Sequence, residues 1–141
     1  MAVIKNIPIG LVLPLRNGPK SGYFDQSFDS FTAYRMNIIN LLRTMPGERR
    51  MNPTFGCRLW EIVFDQNDDL IPKKVEKIIG EDISLWIPGV SVSEVIVHRF
   101  NDGAESIRDI DMYKLHIAVR FVVEAINQED VVEIILNTGK I

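Results

Sequence analysis

Cysteine is almost missing from this chain, with Cys57 alone among 141 residues. No disulfide can close within the chain, and no cysteine cluster can hold zinc. Long apolar runs are missing as well. Residues 7–15 come nearest at the start, but Pro8, Gly10 and Pro14 interrupt them, and a bilayer span takes roughly 20 apolar residues. A secretory leader wants a basic start, an unbroken apolar stretch and a small-residue cleavage site, which residues 1–15 do not supply cleanly. The expectation is a protein that stays in the cytosol where it is made and does not engage a membrane. Histidine is scarce: His98 and His116 are the only two. Two strand histidines without a supporting cysteine or acidic motif are a weak metal signal, so neither metal nor cofactor is expected.

A dense basic patch is also lacking. The net charge of −3 divides unevenly: residues 1–60 hold eight Lys or Arg against three acids, and residues 61–141 hold eight against sixteen. Such a division suits docking between protein subunits better than wrapping nucleic acid, although solvated faces alone would also account for it. What the chain does have is the composition of an ordinary folded domain, 46% apolar and 25% charged. At this length one core is enough.

An arm comes first, over residues 1–27, followed by a domain over residues 28–141. Pro8, Gly10, Pro14, Gly18, Pro19 and Gly22 forbid a long helix in the arm, while Ile7, Ile9, Leu11, Leu13 and Leu15 alternate as in an extended segment. Ordering against a neighbour is the expectation. Phe31, Tyr34, Ile38, Leu41, Leu42 and Met45 then recur at threes and fours and predict a helix that Asp29 or Ser30 caps and that Pro46 and Gly47 stop after Thr44. A second helix is predicted from Ile71, Val75, Ile78, Ile79, Ile83 and Trp86, with Asp68 or Asp69 ahead of it, Pro72 in its first turn and Pro88 at its end. Gly80 within it argues against a straight rod.

After Gly89 the apolar period falls to two, which predicts strands. Val90 and Val92 share one parity and Val95 and Val97 the other, so a bulge is expected near Ser93 and Glu94. Residues 101–109 read as a polar loop. Tyr113, Leu115, Ile117, Val119, Phe121 and Val123 form one face of the clearest strand, and residues 127–130 read as a turn. The last strand carries Val132, Ile134 and Leu136 on one face and Val131, Glu133 and Ile135 on the other. A terminal strand so apolar is hazardous as a bare edge, so either a partner chain adds a strand there or the pairing is completed within the domain. The fold class expected is α+β: two main helices, then a C-terminal antiparallel sheet, with an extended arm in front.

Between the helices lies the most informative stretch, residues 41–60, followed by Val63 and Phe64. Pro46 and Gly47 turn the chain, Pro53 sets another bend, and Phe55, Leu59, Val63 and Phe64 can pin the loop to the helices. Thr44, Gly47, Glu48, Arg49, Pro53, Phe55, Gly56, Cys57, Leu59 and Phe64 resemble the pattern of the contractile phage tail baseplate wedge and sheath-initiator family, which has relatives in type VI secretion baseplates. The likeness runs over roughly residues 30 to 137. It implies a structural α+β subunit of the virion's tail baseplate, assembled in the host cytoplasm, that joins the baseplate to the tail sheath protein and starts sheath assembly by strand pairing. Other baseplate wedge subunits are the further partners it implies, with tail tube or hub proteins as candidates, and no direct nucleic acid. Strand pairing would fall on Val131, Val132, Glu133, Ile134, Ile135 and Leu136. Interface candidates are Gly47, Glu48, Arg49, Pro53, Phe55, Gly56, Leu59 and Pro88. Similar proteins usually place Glu-Pro-Arg where this chain has Ile87-Pro88-Gly89. Only the proline matches, so contact with the wedge bundle is either apolar here or uses charges placed elsewhere, such as Glu48 and Arg49.

Two rival readings stand beside this one. Some descriptions of the family carry a lysozyme label, and a peptidoglycan hydrolase needs two carboxyls at a set separation, one of them kept protonated. Glu48 and Glu61 are available, but nineteen acids guarantee such a coincidence, so no catalytic residue is expected. Cys57 lacks an evident base and reads as a packed thiol. Arg49, Arg50 and Arg58 with Phe55 and Trp60 could meet nucleic acid, yet the cluster is short and belongs to no recognised motif.

Overall fold

The computed structural model describes residues 8–18, 23–62, 70–99 and 114–137. They form β1 (Gly10–Leu11), β2 (Gln26–Ser27), α1 (Ser30–Arg43), α2 (Leu59–Ile62), α3 (Ile71–Trp86), β3 (Val90–Arg99), β4 (Lys114–Val123) and β5 (Gln128–Asn137). The class is α+β. Asp68 and Asp69, Val63 and Phe64, the polar loop of residues 101–109 and Tyr113 lie outside the described residues.

α1 begins where Asp29, extended, accepts hydrogen bonds from the N–H and hydroxyl of Thr32. These bonds hold the Asp29 carboxyl below the usual carboxylate range. Of the two capping candidates Asp29 takes the role, and Ser30 is already helical. Thr44 leaves the helix in extended conformation; its N–H returns to the Leu41 carbonyl at 3.2 Å and its hydroxyl to the Asn40 carbonyl at 2.6 Å. Ile38, Leu41 and Leu42 turn into the core.

α3 starts with Pro72 in its first turn and runs unbroken through Gly80. It stops at Trp86 because Pro88 has no N–H to continue the ladder. Ile71, Val75, Ile79 and Ile83 are its buried stripe. α2, a single turn that the sequence pattern does not announce, buries Leu59 and Ile62.

β3, β4 and β5 form an antiparallel sheet in that order. Across it Val97, Ile117 and Ile134 lie in one row, and Val95, Val119 and Val132 in the next. The register shifts between Val92 and Glu94, so the bulge falls where the change of parity put it, and Val92 still reaches the core face opposite Phe121. α3 packs on β3 and α1 on β5, covering this face. Arg35 on α1 pairs with Asp130 on β5 at 3.2 Å. The turn before β5 lies earlier than its polar residues suggest: it occupies residues 124–127, and β5 opens at Gln128. Asn127 takes a φ of 52°, and the Val123 carbonyl accepts from the N–H of both Ile126 and Asn127. Asparagine tolerates that left-handed region, which lets the chain reverse sooner.

The opposite face of the sheet carries no helix among the described residues. Arg120 pairs there with Glu94 at 2.8 Å, and the rings of His98 and His116 stack with centroids 6.2 Å apart. Part of the arm is tied to the domain. β1 pairs with β2, the Asp25 N–H donates to the Arg16 carbonyl at 2.9 Å, and the Leu13 N–H points to the sulfur of Met36 on α1 at 3.1 Å. These bonds are made within the chain. Among the described residues no helix is long and apolar enough to cross a membrane.

Phe121 is fully buried on the central strand and stacks on Phe31 of α1 at 6.2 Å. Phe121→Ala should therefore lower unfolding stability by about 3–5 kcal/mol, measured by urea denaturation of the full chain.

Candidate functional site

Residues 44–58 fold back upon themselves between α1 and α2. Gly47 donates its N–H to the Pro53 carbonyl at 2.7 Å, which closes the outer part of the loop. The carboxylate of Glu48 accepts the Met45 N–H at 3.1 Å, and the Phe55 N–H reaches the Asn52 carbonyl at 3.1 Å. Cys57 then donates its N–H to the Thr44 carbonyl at 2.9 Å, stitching the end of the loop to its beginning. Gly56 makes that closure possible. Its φ is 141°, and a Cβ there would lie 2.7 Å from the Thr44 oxygen and the Pro46 nitrogen, closer than real atoms come.

Below this closure the chain enters the core. Cys57 and Leu59 are fully buried. Burial pushes the Cys57 thiol up to about 12, which makes it the packed thiol expected rather than a nucleophile. Phe55 sets its edge against Trp86 of α3 with centroids 5.2 Å apart, and the Arg49 guanidinium lies 4.0 Å above the Phe55 ring. A cleft of about 380 Å³ opens here, lined among others by Tyr34, Asn40, Arg49, Phe55, Trp86 and Pro88.

Sequence reasoning missed the strongest polar contact. Arg58 donates its backbone N–H to Asp82 at 3.0 Å and, through its guanidinium, reaches Asp82 at 2.9 and 3.1 Å and Glu81 at 2.9 Å. Asp82 is only 3% exposed. The two carboxylates, Glu81 first, hold the guanidinium above its ordinary value. A buried carboxylate needs such a partner, and the contact locks the loop's exit onto α3. The signal was present: Asp82 sits three residues after Ile79, on the apolar stripe of the helix, where a solvated acid does not belong. Of the three arginines near this loop, Arg58 is turned onto α3 and Arg49 onto Phe55, while Arg50 is exposed.

The interface candidates therefore divide. Arg49, Phe55 and Pro88 meet at one cleft; Gly47, Glu48, Pro53 and Gly56 shape the loop that presents it; Leu59 belongs to the core. Glu48 and Glu61 are both exposed. The strand-pairing candidates are on a separate element. Val132, Ile134 and Leu136 of β5 face the helices, while Val131, Glu133 and Ile135 face the uncovered side, Ile135 being 64% exposed. β5 pairs with β4 without a register break, and among the described residues its far edge meets no strand. β3, at the other margin, is blunted by its bulge.

These elements define a small α+β scaffold, two helices and a stapled loop laid over one face of a three-stranded sheet. The family model described as baseplate wedge protein gp25 matches residues 34–128, more than half the chain, and the chain belongs to that family, a structural component of contractile-tail baseplates. A Geobacter sulfurreducens protein named as a candidate tail lysozyme is similar in fold, with a TM-score of 0.66 and 21% identity over 79% of this chain and 94% of that one. A chain of the anti-feeding prophage baseplate is similar over 81% of this chain and 83% of its own, with a TM-score of 0.63 and 19% identity. A chain of the postcontracted pyocin R2 baseplate aligns over 89% and 99%, with a TM-score of 0.48 and 17% identity. No curated protein sequence matches.

Two outcomes follow from the loop. Gly56→Ala should cost several times more stability than Gly47→Ala, because a Cβ at Gly47, at φ 92°, meets nothing within 4 Å. Positive-φ strain alone is about 1–3 kcal/mol, and equal melting temperatures for the two variants would contradict the tight closure. Cys57 should resist thiol reagents in the folded chain and react at the rate of unfolding. Because its pKa is raised in the fold, its contribution is complete below the ordinary value of 9.0 and is lost as pH climbs from there to about 12. Titrating stability over that window, with Cys57→Ala as control, checks it.

Proposed function

We propose that this chain is a structural wedge subunit of a contractile tail baseplate, joining the baseplate to the sheath and starting sheath assembly by strand pairing at β5. The observation that carries the reading is the margin of β5, ten residues in unbroken register whose far edge meets no strand among the described residues, in a member of the baseplate wedge family. An edge strand offers a row of backbone donors and acceptors to an incoming extended segment, and the side chains at alternate positions choose among segments. Natural sheets usually blunt such margins; here only the β3 side carries a bulge. The inner face of β5 is held by α1, so the template stands rigid before a partner arrives, which lowers the entropy cost of pairing.

On this reading the chain resides in the virion's tail baseplate and is assembled in the host cytoplasm. Its partners are the tail sheath protein and other baseplate wedge subunits, with tube or hub proteins as further neighbours. The arm of residues 1–27 precedes the wedge domain of residues 28–141. Catalysis is not part of the role. A glycosidase acid must be kept protonated by apolar surroundings, whereas Glu48 and Glu61 face solvent and Glu48 is engaged in its own loop. Rapid clearing of a peptidoglycan suspension by the purified chain would favour the hydrolase alternative.

Adjacent residues of an antiparallel strand point their N–H groups to opposite edges, so of Ile134→Pro and Ile135→Pro one removes a bond to β4 and the other alters the free margin. The margin variant should melt within a few degrees of the parent and yield baseplates bearing no sheath. Sheaths of normal length on particles carrying a folded margin variant would contradict the proposal.

A further inference from the structure

Arg49 is held in place by the fold but not neutralised by it. Among the described residues its guanidinium has one partner, the ring of Phe55, and no carboxylate. The neighbouring acid, Glu48, is spent on the Met45 N–H. A stacked guanidinium loses little further freedom when its N–H donors bind, and those donors match a carboxylate two at a time.

Its surroundings extend the match. The cleft beside Arg49 is lined by the aromatic residues Tyr34, Phe55 and Trp86, by Pro88 and by Asn37 and Asn40, with no acidic residue among the described residues of the lining. Trp86 and Phe55 are fixed edge to face, so the wall is preformed. One cation, two amides and an apolar wall suit a carboxylate next to an apolar side chain on a peptide backbone. Nucleic acid is poorly served, because the neighbouring Arg58 is already committed to Glu81 and Asp82.

We propose that this cleft is a docking site for an acidic segment of another protein chain, in which an Asp or Glu pairs with Arg49 while its apolar neighbour lies on Trp86 and Phe55. The inference takes from the proposed function only that the occupant is another protein; peptide binding at the cleft stands or falls without β5.

The test uses nitrogen-15-labelled full chain titrated by NMR with a capped synthetic peptide of alternating Leu and Glu, up to millimolar concentration. The Trp86 indole N–H should shift along a saturable curve, while that of Trp60, buried and without a hydrogen-bond partner among the described residues, should stay. Replacing Glu by Gln in the peptide, or Arg49→Ala in the protein, should weaken binding by about tenfold, the worth of a charged hydrogen-bonded contact; Arg49→Lys should keep part of it, and added salt should weaken it. Arg49 is exposed, so these variants should fold. No saturable shift at Trp86, equal affinity for the Glu and Gln peptides, or unchanged binding by Arg49→Ala would each overturn the proposal. Whichever of Ile134→Pro and Ile135→Pro alters the free margin of β5 should leave this binding intact, which separates the site from strand pairing.

Discussion

β4 is bordered by a strand on each side, and its row of Ile117, Val119, Phe121 and Val123 is fully buried beneath the two long helices. Burial of that stripe sets everything around it. A slip of one residue would turn the whole row outward, so β3 and β5 are held in a single register by the same hydrophobic requirement. The bulge at Ser93 follows from it, since β3 must change parity to keep Val95 and Val97 inside. So does the exposure of Ile135: with Ile134 and Leu136 committed to the core, their neighbour has no choice of face.

The loop of residues 44–58 is positioned by that core without being part of it. Leu59 anchors one end and Thr44 the other, Gly56 lets the two strands of the loop touch, and the Arg58–Asp82 contact bolts the exit to α3. Such bracing costs conformational freedom in the loop and leaves Arg49, Phe55 and Trp86 in fixed relation. α1 connects the loop with β5, packing on β5 and leading into the loop. The two surfaces argued to bind partners are thus separate in place and joined through one helix.

Much of this was legible in residue order. The stripes of α1 and α3, the role of Asp29, the stop at Pro88, the bulge and the faces of β4 all follow from local periodicity and from residues whose backbone chemistry is restrictive. The turn before β5 was not legible, because polarity marks a loop less sharply than backbone conformation does: Gln128 to Asp130 are polar and still pair with β4. The pairing of β1 with β2 was not legible, since the alternation in the arm indicates an extended segment but not its partner. Asp82 was overlooked because its partner lies 24 residues away.

By itself, the order of amino acids determined the class of fold and the elements with their inward faces, which rest on spacing within a dozen or so residues, and it carried, through Thr44 to Phe64, the family resemblance. Only the tertiary structure decided that Arg49 and Pro88 share a cleft, that Arg58 neutralises a buried acid, and that, among the described residues, β5 pairs in unbroken register while β3 carries the bulge. Those facts depend on contacts between segments far apart in the chain, where burial and close approach, rather than local preference, choose the partner.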